Sequence, residues 1–299
     1  MKNTLLAIFL MSLLSSAFAL SKKHIDLPSL DKSRDSIKLY LPKNYKDQER
    51  WPLVISLHGY TGSKNFQDGH IKLRNYVSKA GFVLALPNGL ENSEEKRYWN
   101  ASNFCCDFED TNVDDSKYIK SIIEQVSNSS RYGRIDPSRI YLVGYSNGAF
   151  MANKLACEID SKIAGLITVS GTADLRDENE KLITKGLAAC KHNRAIKHLH
   201  IHGTNDKTIS YNGLDNGRTG LQGVDEYMES WRKQNNCLKT EVVNEKINVS
   251  KLNFGKETIH TKWKGCDAKL ELMKVKKAGH LIIFKKKAIK NMAKFLIQP

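Results

Sequence analysis

Near-continuous apolar, β-prone runs punctuate the chain at 52–59 (PLVISLHG), 81–89 (GFVLALPNG), 139–146 (RIYLVGYS), 163–171 (IAGLITVSG), 198–203 (HLHIHG) and 270–275 (LELMKV). Runs this rich in apolar residues predict strands covered on both faces. Between them the apolar period becomes that of a helix. Tyr118, Ile119, Ile122, Ile123 and Val126 fall on one face, with Asp114 or Asp115 as the N-cap. Ala149, Ala152, Leu155 and Ala156 form a second stripe, and 224–236 (VDEYMESWRKQNN) predicts a further helix. Strands alternating with helices predict an α/β fold, a mostly parallel central sheet with helices on both faces. Ligands on such sheets bind beyond the carboxyl ends of the strands, so candidate chemistry is sought just after each run.

Residues 1–19 have the layout of a signal peptide: Lys2, the apolar LLAIFLMSLL, and the small-x-small Ala17-Phe18-Ala19. That apolar run is too short for a membrane span, and no later segment is more apolar. The remaining 20–299 carry no Pro/Gly/Ser-rich linker, repeat or change of composition, which predicts a single domain. The expectation is an exported (extracellular or periplasmic) monomer.

All six cysteines, Cys105, Cys106, Cys157, Cys190, Cys237 and Cys266, lie beyond that leader. An even number in an oxidising compartment favours disulfides, whose pairing counting does not give. Clustered Cys-x-x-Cys or His spacings are absent, so neither metal nor cofactor is expected. Asn100, Asn128 and Asn248 head Asn-x-Ser sequons. The formal charge of +15 raises nucleic acid as a partner, but the lysines are dispersed except in KVKKAGH and FKKKAIKNMAKF. In the latter, Phe284, Ala288, Met292 and Phe295 repeat at helical spacing, which makes its lysines the solvated face of a packed terminal helix. No nucleic-acid partner is expected.

The chemistry concentrates at Gly144-Tyr145-Ser146-Asn147-Gly148, a Gly-x-Ser-x-Gly between a strand and a helix. That setting predicts a nucleophile elbow, with the serine at positive φ above the sheet edge and glycines where a side chain would collide. The competing reading is an ordinary strand–helix turn with a polar residue in it. A serine hydroxyl needs a base, usually a histidine oriented by a carboxylate, in the chain order serine, acid, histidine. Two histidines follow residue 202. His260 lies in the alternating stretch ETIHTKW, which predicts a hairpin strand and a surface role; His280 lies in KKAGHLIIF, directly after the last core strand, and is the preferred base. Asp206 in HGTNDKTISY is the preferred acid, with Asp174 in SGTADL as its rival one strand earlier. His198, His200 and His202 alternate along one strand and are assigned to packing or hydrogen bonding. The oxyanion would be held by the backbone N–H of Asn147 and that of Tyr60 in LHGYTGS, a loop that His58 shapes.

These residues carry a resemblance. PLVISLHGYTGS, YGRIDPSRIYLVGYSNGAFMANKLACE, LHIHGTNDKTISYNG, WNASNFCCDFEDTNVDD and the paired W…NNC and WKGC are similar to the secreted polyhydroxybutyrate depolymerase/feruloyl esterase-like family of α/β-hydrolases over most of residues 35–285. The resemblance places the nucleophile on Ser146, the acid on Asp206 and the base on His280. It also implies a first disulfide between Cys237 and Cys266. Cys105, Cys106, Cys157 and Cys190 are expected to supply the other two, since a bond between adjacent cysteines is strained. Members often follow the histidine with Trp-Pro; here GHLIIFKKK replaces it. The expected function is a serine carboxylic-ester hydrolase acting on 3-hydroxybutyrate-type esters. The alternatives are a feruloyl or acetyl esterase acting on plant polysaccharide esters and a non-catalytic binding protein on the same scaffold.

Overall fold

A computed structural model of the chain describes residues 24–174, 194–217, 220–240 and 242–298. The leader expected at 1–19 and Cys190 lie outside these residues. The six sequence runs form the parallel middle of a ten-stranded sheet. They are β3 (Trp51–Leu57), β4 (Val83–Leu86), β7 (Ile135–Tyr145), β8 (Ile163–Val169), β9 (Lys197–Gly203) and β14 (Leu270–Val275). Antiparallel strands complete the sheet: β1 (Ile25–Leu27) and β2 (Ile37–Tyr40) at one edge, β12 (Val242–Ile247) and β13 (Thr258–Trp263) at the other. The order is β1-β2-β4-β3-β7-β8-β9-β14-β13-β12. Two minor hairpins, β5 (Leu90–Glu91) with β6 (Arg97–Tyr98) and β10 (Leu214–Asp215) with β11 (Gly220–Leu221), lie outside it.

The strand β7 begins at Ile135, ahead of the apolar run. Its register against β3 jumps from Trp51↔Ile135 to Leu53↔Ile140, so the intervening stretch with Pro137 makes no ladder there. A proline has no N–H to donate to a central strand, and it is tolerated in such an irregularity.

Alternation along the strands sends side chains to two cores. Leu53, Ile55, Leu142 and Leu166 pack against α2 (Asp115–Ser127), α3 (Asn147–Glu158) and α4 (Val224–Gln234). Val54, Val143, Ile167 and Met273 pack against α1 (Lys64–Ile71) and α5 (Lys286–Ile297). Asp114 caps α2 by accepting from the Lys117 amide. The predicted stripe is buried, Phe284 just ahead of α5 and Ala288, Met292 and Phe295 on it, and Lys286, Lys287, Lys290 and Lys294 face solvent. Among the described residues no helix is long and apolar enough to cross a membrane.

Cys237 and Cys266 are bonded, with Cα atoms 3.9 Å apart, tying the end of α4 to the β13–β14 turn. The other expected pairing needs correction. Cys105 is bonded to Cys106 itself, across a cis peptide that brings their Cα atoms to 3.2 Å, inside the spacing of a trans pair. Cys157 is also disulfide-bonded.

Candidate active site

The strand β7 runs straight into α3, and Ser146 is the residue at the corner, with φ 54° and ψ −120°. Its amide donates to the Val169 carbonyl at 2.8 Å, which stitches the corner to β8. The two flanking glycines are steric requirements. A Cβ on Gly144 would sit 2.6 Å from the Ala149 Cα, and one on Gly148 would press into the Leu57 and His58 carbonyls. A side chain at either position would push the turn apart, so the left-handed serine depends on both.

Three strand ends bring the predicted partners together. His280 follows β14 and Asp206 follows β9. His280 Nε2 lies 2.9 Å from Ser146 Oγ, and His280 Nδ1 lies 2.8 Å from Asp206 Oδ2. The loops are tied to one another: the Asn205 amide donates to the Ala278 carbonyl, and Ser170 Oγ donates to the His280 carbonyl, both at 2.9 Å. Asp206 Oδ1 accepts from the amides of Thr208 and Ile209 at 2.9 and 2.8 Å. Burial works against its charge, yet hydrogen bonds from His202, His280 and the Ile209 amide hold its carboxyl well below the usual carboxylate range.

Tyr60 lies in the loop after β3, directly behind Gly59, where an added Cβ would stand 3.1 Å from that of Ser146. His58 anchors that loop. Its Nε2 accepts from the Gly89 amide at 2.9 Å, so Nδ1 carries the proton and donates to the Gly59 carbonyl at 2.8 Å. Burial keeps this imidazole neutral, with a pKa of about 4. Asn147 opens α3, so its amide has no intrahelical acceptor. Its buried side chain grips the Trp99 backbone, accepting from the amide at 2.7 Å and donating to the carbonyl at 2.9 Å. Trp99 Nε1 in turn donates to the His58 carbonyl at 2.9 Å. Trp99 thus fastens the loop bearing Tyr60 to the elbow. Nothing in the sequence pairs it with Asn147, because their contact spans 48 positions.

The remaining candidates fall elsewhere. Asp174 makes no bond to either histidine; it accepts from Ser102 Oγ and, at 3.0 Å, from the Asn103 amide. It thereby anchors the segment leading to the paired cysteines, where Cys105 and Phe104 join Phe150, Ile209 and Leu221 in a small apolar cluster. His260 does lie in a strand, but not at the surface: it is 6% exposed, with Nε2 2.6 Å from Glu271 on the neighbouring strand. The strand bearing it is interior to the sheet, flanked by β12 and β14, rather than an exposed hairpin.

A parallel sheet whose ordered strand ends bring an alcohol, an imidazole and a carboxylate into one hydrogen-bonded line has the architecture of an α/β-hydrolase. The chain belongs to the phospholipase/carboxylesterase family, whose model matches residues 44–218. Among curated proteins it is similar to a bifunctional acetylxylan esterase/xylanase of Neocallimastix patriciarum, 26% identical over 81% of this chain and 30% of that one. It is also similar to feruloyl esterase B of Piromyces equi, 25% identical over 66% of this chain and 34% of that one. The chain therefore spans about a third of the length of these relatives. An acetyl xylan esterase from Aspergillus awamori shares the fold at TM-score 0.56 and 15% identity, over 91% of this chain and 98% of its own. So does an esterase of Thermogutta terrifontis, at TM-score 0.55 and 17% identity over 93% and 92%.

Proposed function

We propose that the protein is an exported serine esterase that removes acyl groups of the acetyl or feruloyl type from polysaccharide esters. The observation that carries this reading is the line from Ser146 Oγ through His280 to Asp206, with contacts of 2.9 and 2.8 Å. Ser146 attacks the ester carbonyl while His280 Nε2 takes its proton. Asp206 holds the Nδ1–H tautomer and stabilises the imidazolium that forms. The oxyanion settles between the amides of Tyr60 and Asn147, each such donor worth roughly 3–4 kcal/mol in the transition state. His280 then protonates the departing sugar alcohol and activates the water that frees the acid.

Support for the substrate class comes from the names of the curated relatives, which favour carbohydrate esters over the polyester reading. It also comes from the rim. Tyr60 meets Phe108 edge-on at 5.5 Å, and Phe108 is 65% exposed, an aromatic surface beside the oxyanion loop on which a feruloyl ring or a pyranose can stack. The disulfides support export into an oxidising compartment.

The test is a panel of acetylated xylo-oligosaccharides, feruloylated arabino-oligosaccharides and 3-hydroxybutyrate oligomers, with Ser146→Ala as the blank. The highest kcat/KM is expected on a carbohydrate ester, and the variant should lose roughly 10⁴–10⁶-fold in kcat. Turnover confined to the hydroxybutyrate oligomers would overturn the substrate class, and an active Ser146→Ala would overturn the mechanism.

A further inference from the structure

Behind Asp206 lies a line of buried polar side chains that the reaction described above does not use. His198, His200 and His202 are spaced two apart on β9, so all three project to one face, and each is 0% exposed. Thr168 pairs with His200 on the adjacent strand β8, and Tyr227 of α4 closes over the row. Packing alone would fill such positions with Val or Leu, because a buried polar group stabilises nothing unless it is bonded. Here each link is made, and the links have a direction.

The direction follows from groups that can act in only one way. At the far end the Thr172 carbonyl can only accept, so Asn153 turns Nδ2 towards it at 2.6 Å and presents Oδ1 to Tyr227. Tyr227 donates its hydroxyl to that Oδ1 at 2.6 Å, leaving its oxygen to accept from His198 Nε2 at 3.3 Å. His198 Nε2 therefore carries a proton, which it also directs to Thr168 Oγ1 at 2.8 Å. Thr168 donates in turn to His200 Nδ1 at 2.7 Å. At the near end the Ile209 carbonyl and the Asp206 carboxylate can only accept. His202 Nε2, at 2.9 Å from the first and 3.2 Å from the second, is therefore also protonated. Its Nδ1 remains to accept from His200 Nε2 at 3.1 Å. Both ends require the same placement of protons along the row, and burial disfavours the charged form of His200. From His198 onward the row points its N–H and O–H groups towards Asp206, while Tyr227 and Asn153 donate the other way, to the Thr172 carbonyl.

We propose that His202 is a positioning residue for the esterase reaction, its Nε2–H, aligned by the buried row from Asn153, holding Asp206 Oδ2 in place for His280. The inference rests on the reading of Ser146, His280 and Asp206 as the reacting set. Oδ1 is fixed by two backbone amides. Among the described residues Oδ2 has only His202 and His280, and a carboxylate oxygen held by His280 alone would move with the ring it has to orient. His202 makes the carboxylate a fixed reference instead. The aligned dipoles behind it favour the charged form.

The test compares two substitutions on a soluble aryl acetate. His202→Gln keeps an acceptor for His200 and an N–H donor for Asp206 at nearly the spacing of Nδ1 and Nε2; His202→Leu keeps bulk and neither bond. His202→Leu is expected to lower kcat by about 10–100-fold with KM within about 3-fold, as for a small displacement of a reacting group. His202→Gln should restore kcat to within about 5-fold of the parent, a rescue that packing does not explain. Parental kcat in His202→Leu, or equal losses in the two variants, overturns the proposal. Should His202→Leu fail to fold, ¹⁵N NMR of the parent protein decides: a protonated Nε2 and bare Nδ1 on His202 support it, and a bare Nε2 overturns it. A dead Ser146→Ala beside a fully active His202→Leu sinks this inference alone; an active Ser146→Ala sinks the mechanism beneath it.

Discussion

Two aspartates follow neighbouring parallel strands at the same edge of the sheet, Asp174 after β8 and Asp206 after β9, and protein surrounds both carboxylates. Their charges fare oppositely. Burial pushes the Asp174 carboxyl up to about 6 despite bonds from Ser102 and Asn103. Asp206 is held well below the ordinary range, because two imidazoles join its backbone donors against the same burial. Depth in the protein sets the cost of the charge, and the number and direction of N–H dipoles decide whether it is offset. Asp206 is thereby a permanent anion suited to orienting an imidazole. Asp174, a weaker acid bonded to the chain at 102–103, is suited to holding a loop.

The largest effect should separate the two outright. Asp206→Asn sets its NH₂ either at the Oδ2 position, against both His280 Nδ1 and His202 Nε2, or at the Oδ1 position, against the Thr208 and Ile209 amides, and should cost roughly 10⁴-fold in kcat through the wrong imidazole tautomer. Asp174→Asn leaves His280 untouched and should keep kcat within about 10-fold. Comparable losses in the two variants, measured on one soluble ester, would remove the distinction.

A second test sharpens it through pH. Asp174 has a folded pKa of about 6 against 3.8 in the unfolded chain. Between those values the folded state holds the extra proton, so its contribution to stability falls as pH rises from about 4 to 6. For Asp206 the folded value is depressed, so its contribution is present above the unfolded value and is lost as pH falls below about 4. Urea midpoints from pH 3 to 8 should show Asp174→Asn flattening the decline between 4 and 6. Asp206→Asn should flatten the acid limb below it. Since Asp174 keeps some solvent contact, its share is about 1–2 kcal/mol rather than the whole shift. Slopes unchanged by either substitution would place the titrations elsewhere.

The same comparison marks where the sequence is legible. Ser146, Asp206 and His280 can be singled out because each follows an apolar run, and strand ends converge in a parallel sheet whatever the loops contain. Chain order favours Asp206 over Asp174, and in the structure the 2.8 Å contact with His280 Nδ1 separates them. Alternation at 198, 200 and 202 shows that three histidines share a face; it does not show that Tyr227 and Asn153 orient them. The bond between Cys105 and Cys106 joins adjacent residues, a pairing that the expected strain argues against. His260 departs from its expected surface place because period-2 polarity assumes an open face, whereas its Nε2 lies 2.6 Å from Glu271 of the neighbouring strand.

The smallest effect lies in the hydroxyl of Ser102. It donates to Asp174 Oδ1 and also accepts the Phe104 amide at 3.1 Å, so it joins the carboxylate to the turn before the paired cysteines. Ser102→Ala should cost about 0.5–1.5 kcal/mol, the usual net worth of one such bond, and leave kcat within about 3-fold. The cost should depend on pH. Removing a donor raises the Asp174 pKa further, so the decline in stability should extend above pH 6, and the penalty should be larger at pH 8 than at pH 5, where the acid already carries its proton. The corresponding loss in an Asp174→Asn background should be nearly independent of pH. A penalty equal at both pH values in the parent would mean that the serine supports the turn alone, and that the ionisation of Asp174 is decided by burial without it.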